Sequence, residues 1–130
     1  MSITAYLDSK KIEVEMFASD TESDRCVLRS KFPIEAYVRG VKRFSDIKVG
    51  EHVVTIGYPR GLEHTLGDGL VSGLRPTKQR HLIQTNAPIS PGSSGGGLFD
   101  DAGNLIGITA FMLQDSQALN FAIPAEEFWK

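Results

Sequence analysis

The chain has 130 residues, of which 41% are hydrophobic and 23% are charged, and this composition is ordinary for a globular protein and excludes disorder as the default. With 14 basic and 16 acidic residues the formal net charge is −2, so nothing predicts a polyanionic partner such as nucleic acid. A lone cysteine, Cys26, excludes an internal disulfide, and no apolar run is long enough to span a bilayer.

The first elements in chain order alternate apolar and polar residues. Segments 3–7 and 12–18 have this period of two, which predicts half-buried strands, and the polar residues 8–11 between them predict a hairpin turn. A third strand is expected at about 26–30. The run Cys26-Val27-Leu28 within it is apolar, so we expect the cysteine to be a small buried residue.

Residues 31–50 show no clear period and predict a connection between two halves. The chain has thirteen glycines, which predict many tight turns, and the short strands at regular spacing after residue 50 predict a sandwich or a barrel. Near the end, Pro124 followed by Ala125-Glu126-Glu127 is typical of the first turn of a helix. The strands predicted after residue 50 lie at 52–56, 65–74, 81–86, 97–99, 104–112 and 119–123.

A glycine-serine stretch at 91–97 lies between apolar strands and allows three interpretations. A flexible linker suits the composition but not a position inside one compact unit. A phosphate-binding loop would need a lysine and a following helix, and the sequence has neither here. In a nucleophile loop, consecutive glycines would let backbone N–H groups converge on an oxyanion beside a reactive serine.

The third interpretation gains weight because residues 83–96 closely resemble the segment around the nucleophile of HtrA-type trypsin-like proteases. That family typically shows Gln-Thr-Asp-Ala, a short spacer and then Gly-Asn-Ser-Gly-Gly-Pro-Leu. Asn86, Ser93 and Gly97 replace its aspartate, asparagine and proline, and the sequence alone assigns no effect to Asn86. Further stretches that resemble the family, in the same order, lie at 20–28, 49–51, 56–61, 69–74, 104–108 and 120–124.

The resemblance implies specific roles for single residues. Ser94 matches the nucleophile, and Asp24 matches the aspartate of the catalytic triad, which orients the histidine. The oxyanion hole would be formed by backbone N–H groups of Ser94 and Gly92, with Ser93 between them. The substrate pocket would be lined by Ile89, Ala110 and Phe111; no acid lies there, so we expect a preference for small or medium aliphatic side chains.

The triad histidine has no counterpart in the chain. In the family it lies in a Thr-Asn-x-His-Val segment just before the strand that matches residues 3–7, so we expect the chain to be truncated before that point. His52, His64 and His81 match no catalytic position. A serine without an adjacent base is a poor nucleophile, which predicts an inactive or nearly inactive polypeptide. The alternative is a catalytically dead, protease-like domain used for binding or scaffolding.

The resemblance implies an all-β fold of the trypsin-like double-barrel type. Residues 1–40 would be the later strands of a partial first barrel carrying Asp24, and residues 41–130 a nearly complete second barrel carrying Ser94. Exposed strand edges predict self-association or a homo-oligomer. We expect polypeptide substrates and neither a cofactor nor a metal. No signal peptide is visible, and an extracytoplasmic or cell-envelope location is compatible with the resemblance, although the sequence itself leaves the compartment open.

Overall fold

A computed structural model of the chain describes residues 3–7, 10–21, 25–34, 37–57, 65–76, 81–89, 93–114 and 117–129. It divides into two compact units, Met1–Tyr37 and Val38–Lys130. For residues 7, 111–114, 117–119 and 129 the structure describes the backbone alone.

The first unit is an antiparallel sheet with the strand order β1-β2-β3. Its strands are β1, Thr4–Leu7, β2, Lys10–Asp20, and β3, Arg25–Ser30. The predicted alternation of β2 holds at Ile12 and Val14, which are half-buried between exposed neighbours. It does not extend to Met16, which lies on the same face as Ile12 and Val14 and pairs in register with Leu28, because both side chains of this pair are exposed, at 47% and 38%.

The prediction that Cys26 is buried is wrong, because its side chain is exposed. Val27, the next residue of β3, is half-buried, whereas Leu28 is exposed like Cys26. A strand directs successive side chains to opposite faces, so Cys26 and Leu28 share the face that Val27 does not. An apolar run of three residues predicts a strand but does not say which of its two faces is covered.

The second unit is a closed six-stranded antiparallel barrel with the order β4-β5-β6-β9-β8-β7. Within the described residues, short 3-10 helices lie at Phe44–Asp46 and Ala125–Trp129, and the latter takes the place of the predicted helix start. The prediction of an all-β chain is confirmed. The barrel strands are β4, His52–Gly57, β5, Thr65–Pro76, β6, His81–Thr85, β7, Gly97–Phe99, β8, Leu105–Gln114, and β9, Gln117–Pro124.

Aliphatic side chains fill the barrel interior. They come from all six strands and from the residues next to the strands. The pattern follows the strand pleat, since β4 buries Val53 and Thr55 and leaves the alternate positions more exposed. Aliphatic side chains without polar atoms fill such a space in well-defined rotamers, which fixes the strands against one another. The core cluster consists of Ile47, Val53, Val71, Ile83, Ala87, Leu98, Ile106 and Ala122.

The stretch predicted as a connection is attached to the barrel through Lys42. Its backbone N–H donates to the Leu105 carbonyl at 3.0 Å, and its Nζ lies 2.9 Å from Glu51 Oε2 and 3.2 Å from Asp100 Oδ2. The hydrogen bond to Glu51 raises the pKa of Lys42. Burial raises the pKa of Asp100, but hydrogen bonds from Asn104 and Lys42 outweigh it and the pKa is lowered. These three charged groups therefore hold residues 40–42 against the β7–β8 turn.

His52 of β4 forms a second charged cluster with two carboxylates, one from β5 and one from the β7–β8 turn. Its Nδ1 lies 2.5 Å from Asp101 Oδ1 in the β7–β8 turn, and its Nε2 lies 3.2 Å from Asp68 Oδ2 on β5. A neutral imidazole carries one N–H, so it can donate to only one of the two carboxylates, whereas the protonated ring donates to both. The hydrogen bonds to Asp101 and then Asp68 raise the pKa of His52 above its ordinary value of 6.5.

Replacing Lys42 by methionine should lower the free energy of unfolding by about 1–3 kcal/mol, because the nearly buried Asp100 carboxylate loses its cationic partner. Urea denaturation of the wild type and Lys42→Met would measure the change. Lys48→Met is the matched control, since Lys48 is exposed on the same segment. A loss no larger in Lys42→Met than in Lys48→Met would contradict the assigned role.

The His52 cluster predicts a pH-dependent contribution to barrel stability. Because the folded-state pKa is raised, the stabilisation is fully present below the unfolded value of 6.5 and is lost as the pH rises through the higher folded-state value. The melting temperature of the wild type should therefore exceed that of His52→Gln at acidic pH, and the difference should disappear at alkaline pH. A difference that stays constant across this range would show that protonation of His52 does not stabilise the fold.

Candidate active site

The glycine-serine stretch forms a tight turn at residues 93–96. The Gly96 N–H donates to the Ser93 carbonyl at 3.2 Å, which closes the turn, and Gly95 has φ +97° at its third position. A positive φ at that position is a feature of type II turns and favours glycine. The side chain of Ser94, at the second position, is exposed. The linker interpretation does not describe this segment, because its backbone is hydrogen-bonded within the barrel.

Two glycines let the turn approach strand β4. A Cβ on Gly96 would lie 2.3 Å from the Ile56 carbonyl oxygen, and a Cβ on Gly57 would lie 2.9 Å from Ser93 Oγ. Real Cβ atoms do not come so close to other atoms, so side chains at these positions would push the turn away from the barrel. The absence of side chains at Gly57 and Gly96 therefore allows the turn to lie close to β4.

Thr109 of β8 lies beneath the turn and binds three of its residues. Its carbonyl accepts the Gly95 N–H at 2.8 Å, and its own N–H donates to the Gly96 carbonyl at 2.9 Å. Its hydroxyl Oγ1 lies 3.2 Å from the carbonyl oxygens of both Ser93 and Gly96. Both the backbone and the side chain of one strand residue thus fix the turn that carries Ser94.

A cavity of about 310 Å³ opens beside the turn. Ser93 and Thr109 contribute to its wall, and Ile89, which is 7% exposed, contributes an apolar surface. The wall contains both hydroxyl or amide side chains and aliphatic ones, so the cavity can hold an aliphatic side chain beside a polar backbone. The lining residues are Thr55, Ile56, Gly57, Thr65, Leu66, Gly67, Pro88, Ile89, Ser93, Thr109 and Asn120.

Hydrogen bonds from neighbouring strands hold the segment that leads to Ile89. Asn86 Oδ1 accepts the Leu70 N–H at 2.8 Å, and Asn120 Nδ2 donates to the Ala87 carbonyl at 3.0 Å. An aspartate oxygen could accept the same N–H, which explains how Asn86 can stand where the resembling family has aspartate. Thr55 Oγ1 adds a bond of 3.2 Å to the Pro88 carbonyl.

The structure brings several of the predicted site residues together and leaves others apart. Ser93 and Ser94 lie in the turn, and Ser93 shares the cavity wall with Ile89. Ala110 is half-buried on β8 next to Thr109 but does not line the cavity, and Phe111, described by its backbone alone, pairs with Asn120 of β9. Asp24 and Gly92 lie outside the described residues. Their roles stay predictions.

The two histidines within the described residues are engaged in other contacts. Both ring nitrogens of His52 face carboxylates, and the ring of His81 stacks on Phe44 with 4.3 Å between centroids. His64 lies outside the described residues. Among the residues that the structure describes, no group of three or more His, Cys, Asp or Glu could hold a metal ion, and no helix is long and apolar enough to cross a membrane.

Sequence reasoning missed the residues that hold the turn and its approach, above all Thr109, Asn86 and Asn120. A signal was available for Thr109, because a threonine inside an apolar strand is buried only when its hydroxyl finds a partner. The pattern recurs at Thr55 and Thr85, whose hydroxyls also donate to backbone carbonyls. Nothing in the sequence, however, says which carbonyl each hydroxyl binds.

Comparisons with known proteins agree with this arrangement. The family model of the trypsin-like peptidase domain matches residues 3–108. The chain is 36% identical over 133 residues to "Protease Do-like 1, chloroplastic" of Arabidopsis thaliana, covering 92% of this chain and 30% of that protein. It is 35% identical over 127 residues to "Probable periplasmic serine endoprotease DegP-like" of Halomonas elongata, covering 92% of this chain and 26% of that protein.

Among solved structures, the chain is similar to "HtrA-type protease AlgW with decapeptide", with a TM-score of 0.80 and 32% identity over 92% of this chain and 39% of that one. The chain thus spans about a third or less of the curated relatives it matches. The family model covers most of the sequence, and the closed barrel with its second sheet matches the trypsin-like double-barrel fold. The chain therefore belongs to the trypsin-like peptidase family and is a serine protease domain of the HtrA type.

Proposed function

We propose that the chain provides the nucleophile and the oxyanion hole of a serine endopeptidase. The Ser94 hydroxyl attacks the carbonyl carbon of a peptide bond, and the backbone N–H groups of Ser94 and Gly92 donate to the oxyanion that forms. A base would have to take the hydroxyl proton and pass it to the departing amine, and water would then hydrolyse the acyl-enzyme to an acid and restore the Ser94 hydroxyl. The main observation behind this proposal is the hydrogen-bonded turn at 93–96, in which Ser94 is exposed and Ser93 lines a cavity.

Among the residues that the structure describes, we assign no group as the base of this mechanism. Asp24 is proposed as the triad aspartate on the family resemblance alone, and it would act only through a histidine. The contacts of the two described histidines lie elsewhere, since both ring nitrogens of His52 face carboxylates and the ring of His81 stacks on Phe44. The 130-residue polypeptide should therefore be inactive or nearly so.

The polypeptide should react with a fluorophosphonate probe at Ser94 several orders of magnitude more slowly than an intact serine protease, because the base is missing. Intact-mass spectrometry over hours would give the rate. A high concentration of imidazole should accelerate the reaction by acting as an external base, and Ser94→Ala should abolish it.

Ser93→Ala is the matched control, since it removes a neighbouring hydroxyl and leaves the nucleophile in place. Labelling at Ser94 at an ordinary protease rate without imidazole would refute the predicted inactivity. Labelling of Ser94→Ala at the wild-type rate would refute the assignment of the nucleophile.

A second proposed function is peptide binding without catalysis. It is favoured because the contacts of His52 and His81 lie with other residues. A domain with a cavity and an oxyanion-type turn but no base can hold a peptide without cleaving it. If the reading frame continues upstream through a Thr-Asn-x-His-Val segment, the longer protein should cleave peptides. If Met1 is the natural start, binding is the function that remains.

We propose polypeptides as ligands, in keeping with the decapeptide named for the similar AlgW structure. Self-association also stays a proposal. It is supported by the large apolar side chains that the structure exposes in both units, among them Tyr6 at 68%, Phe32 at 69% and Leu66 at 71%.

The cavity beside the turn predicts a preference for an aliphatic side chain before the cleaved bond. Within the described residues its wall holds no carboxylate, so an arginine side chain would enter without a counter-charge. Peptides ending in valine should bind about tenfold or more tightly than the same peptides ending in arginine. Titrations followed by NMR at the amides of Ile89 and Asn120 test this without turnover, and tighter binding of the arginine peptide would contradict it.

A further inference from the structure

The side-chain hydroxyl of Thr109 has a role that the barrel alone does not require. The threonine is 5% exposed, and its backbone already forms the ladder bonds to Gly95 and Gly96. A valine would fill the same volume without a polar atom. The hydroxyl instead lies 3.2 Å from the carbonyl oxygens of Ser93 and Gly96. Its single proton is shared between two acceptors that both belong to the turn.

The Ser93 carbonyl matters because of the peptide bond in which it takes part. A trans peptide is planar, and its C=O and N–H point in opposite directions. The carbonyl of Ser93 and the N–H of Ser94 belong to the same peptide unit. When Thr109 and the Gly96 N–H hold that carbonyl on the barrel side, the Ser94 N–H is directed to the opposite side of the turn.

We propose that Thr109 is a positioning residue that orients the Ser94 N–H as an oxyanion donor. This inference rests on the proposed function, since the donor matters only if Ser94 reacts with a carbonyl. A preorganised donor stabilises the developing charge without having to reorient during the reaction. Thr109 is only 5% exposed, which limits the access of water to its hydrogen bonds with the turn.

A set of three variants separates this role from ordinary packing. Thr109→Val removes the hydroxyl and keeps the shape, and Thr109→Ser keeps the hydroxyl. Thr85→Val is the matched control, since Thr85 is 4% exposed and its hydroxyl donates to the Leu70 carbonyl, which lies outside the turn. All three are made in the 130-residue chain. Urea denaturation gives the stability of each.

The first readout is backbone amide hydrogen exchange, which needs no activity. In Thr109→Val the Gly95 and Gly96 amides should exchange about five- to twentyfold faster than in the wild type, after correction for global stability. Thr109→Ser should restore slow exchange. In Thr85→Val these two amides should change only as far as global stability changes. Equal corrected rates in Thr109→Val and the wild type would overturn the proposal.

The second readout is the imidazole-assisted reaction of Ser94 with the fluorophosphonate probe. Thr109→Val should slow it about tenfold or more, as expected for a weakened oxyanion donor, and Thr109→Ser should recover most of the rate. An unchanged rate in Thr109→Val would overturn the positioning role even if exchange increases. If the wild type itself never reacts at Ser94, the proposed function fails, and the exchange rates alone decide whether Thr109 orients the turn.

Discussion

The interaction on which the site depends is the set of hydrogen bonds between strand β8 and the turn at 93–96. A four-residue turn rich in glycine has many conformations available, and its ordering has to be offset by contacts elsewhere. Here those contacts come from one residue, Thr109, whose N–H, carbonyl and hydroxyl all bind the turn. The exposed Ser94 is therefore held by groups that are themselves part of the barrel.

Closure of the barrel is what makes β8 rigid enough for this purpose. In a closed sheet each strand has two hydrogen-bonded neighbours, and β8 lies between β7, which continues the turn, and β9, which contributes Asn120 to the cavity. The charged groups lie at the other end of β7, where Lys42 binds Asp100 and His52 binds Asp101. The short strand β7, which follows Ser94, is thus held by apolar packing, by hydrogen bonds to its neighbouring strands and by the charged pairs at its far end.

The strands could be predicted from the sequence because the two-residue period and the turn residues report directly on a pleated, half-buried backbone. The exposure of Cys26 and Met16 could not be predicted, since the burial of a strand residue depends on what covers its face of the sheet, and the period of two does not report this. A tight turn at 93–96 was predictable through its glycines, whereas the role of Ser94 as the nucleophile stays a prediction from the family resemblance. The role of Thr109 was not predictable, because a pattern shows that a hydroxyl is buried but not which carbonyl lies next to it.

The proposed catalytic function and the proposed binding function would use the same fold, and they differ in one group, the base. An oxyanion hole and a side-chain cavity act on any peptide carbonyl placed over them, and in serine proteases they retain part of the rate enhancement when the triad is removed. A base adds the proton transfer that turns a polarised carbonyl into an acyl-enzyme. Under the proposed function, the turn that Thr109 holds would therefore serve both binding and catalysis, and a histidine near Ser94 would decide only whether a bound peptide is also cleaved.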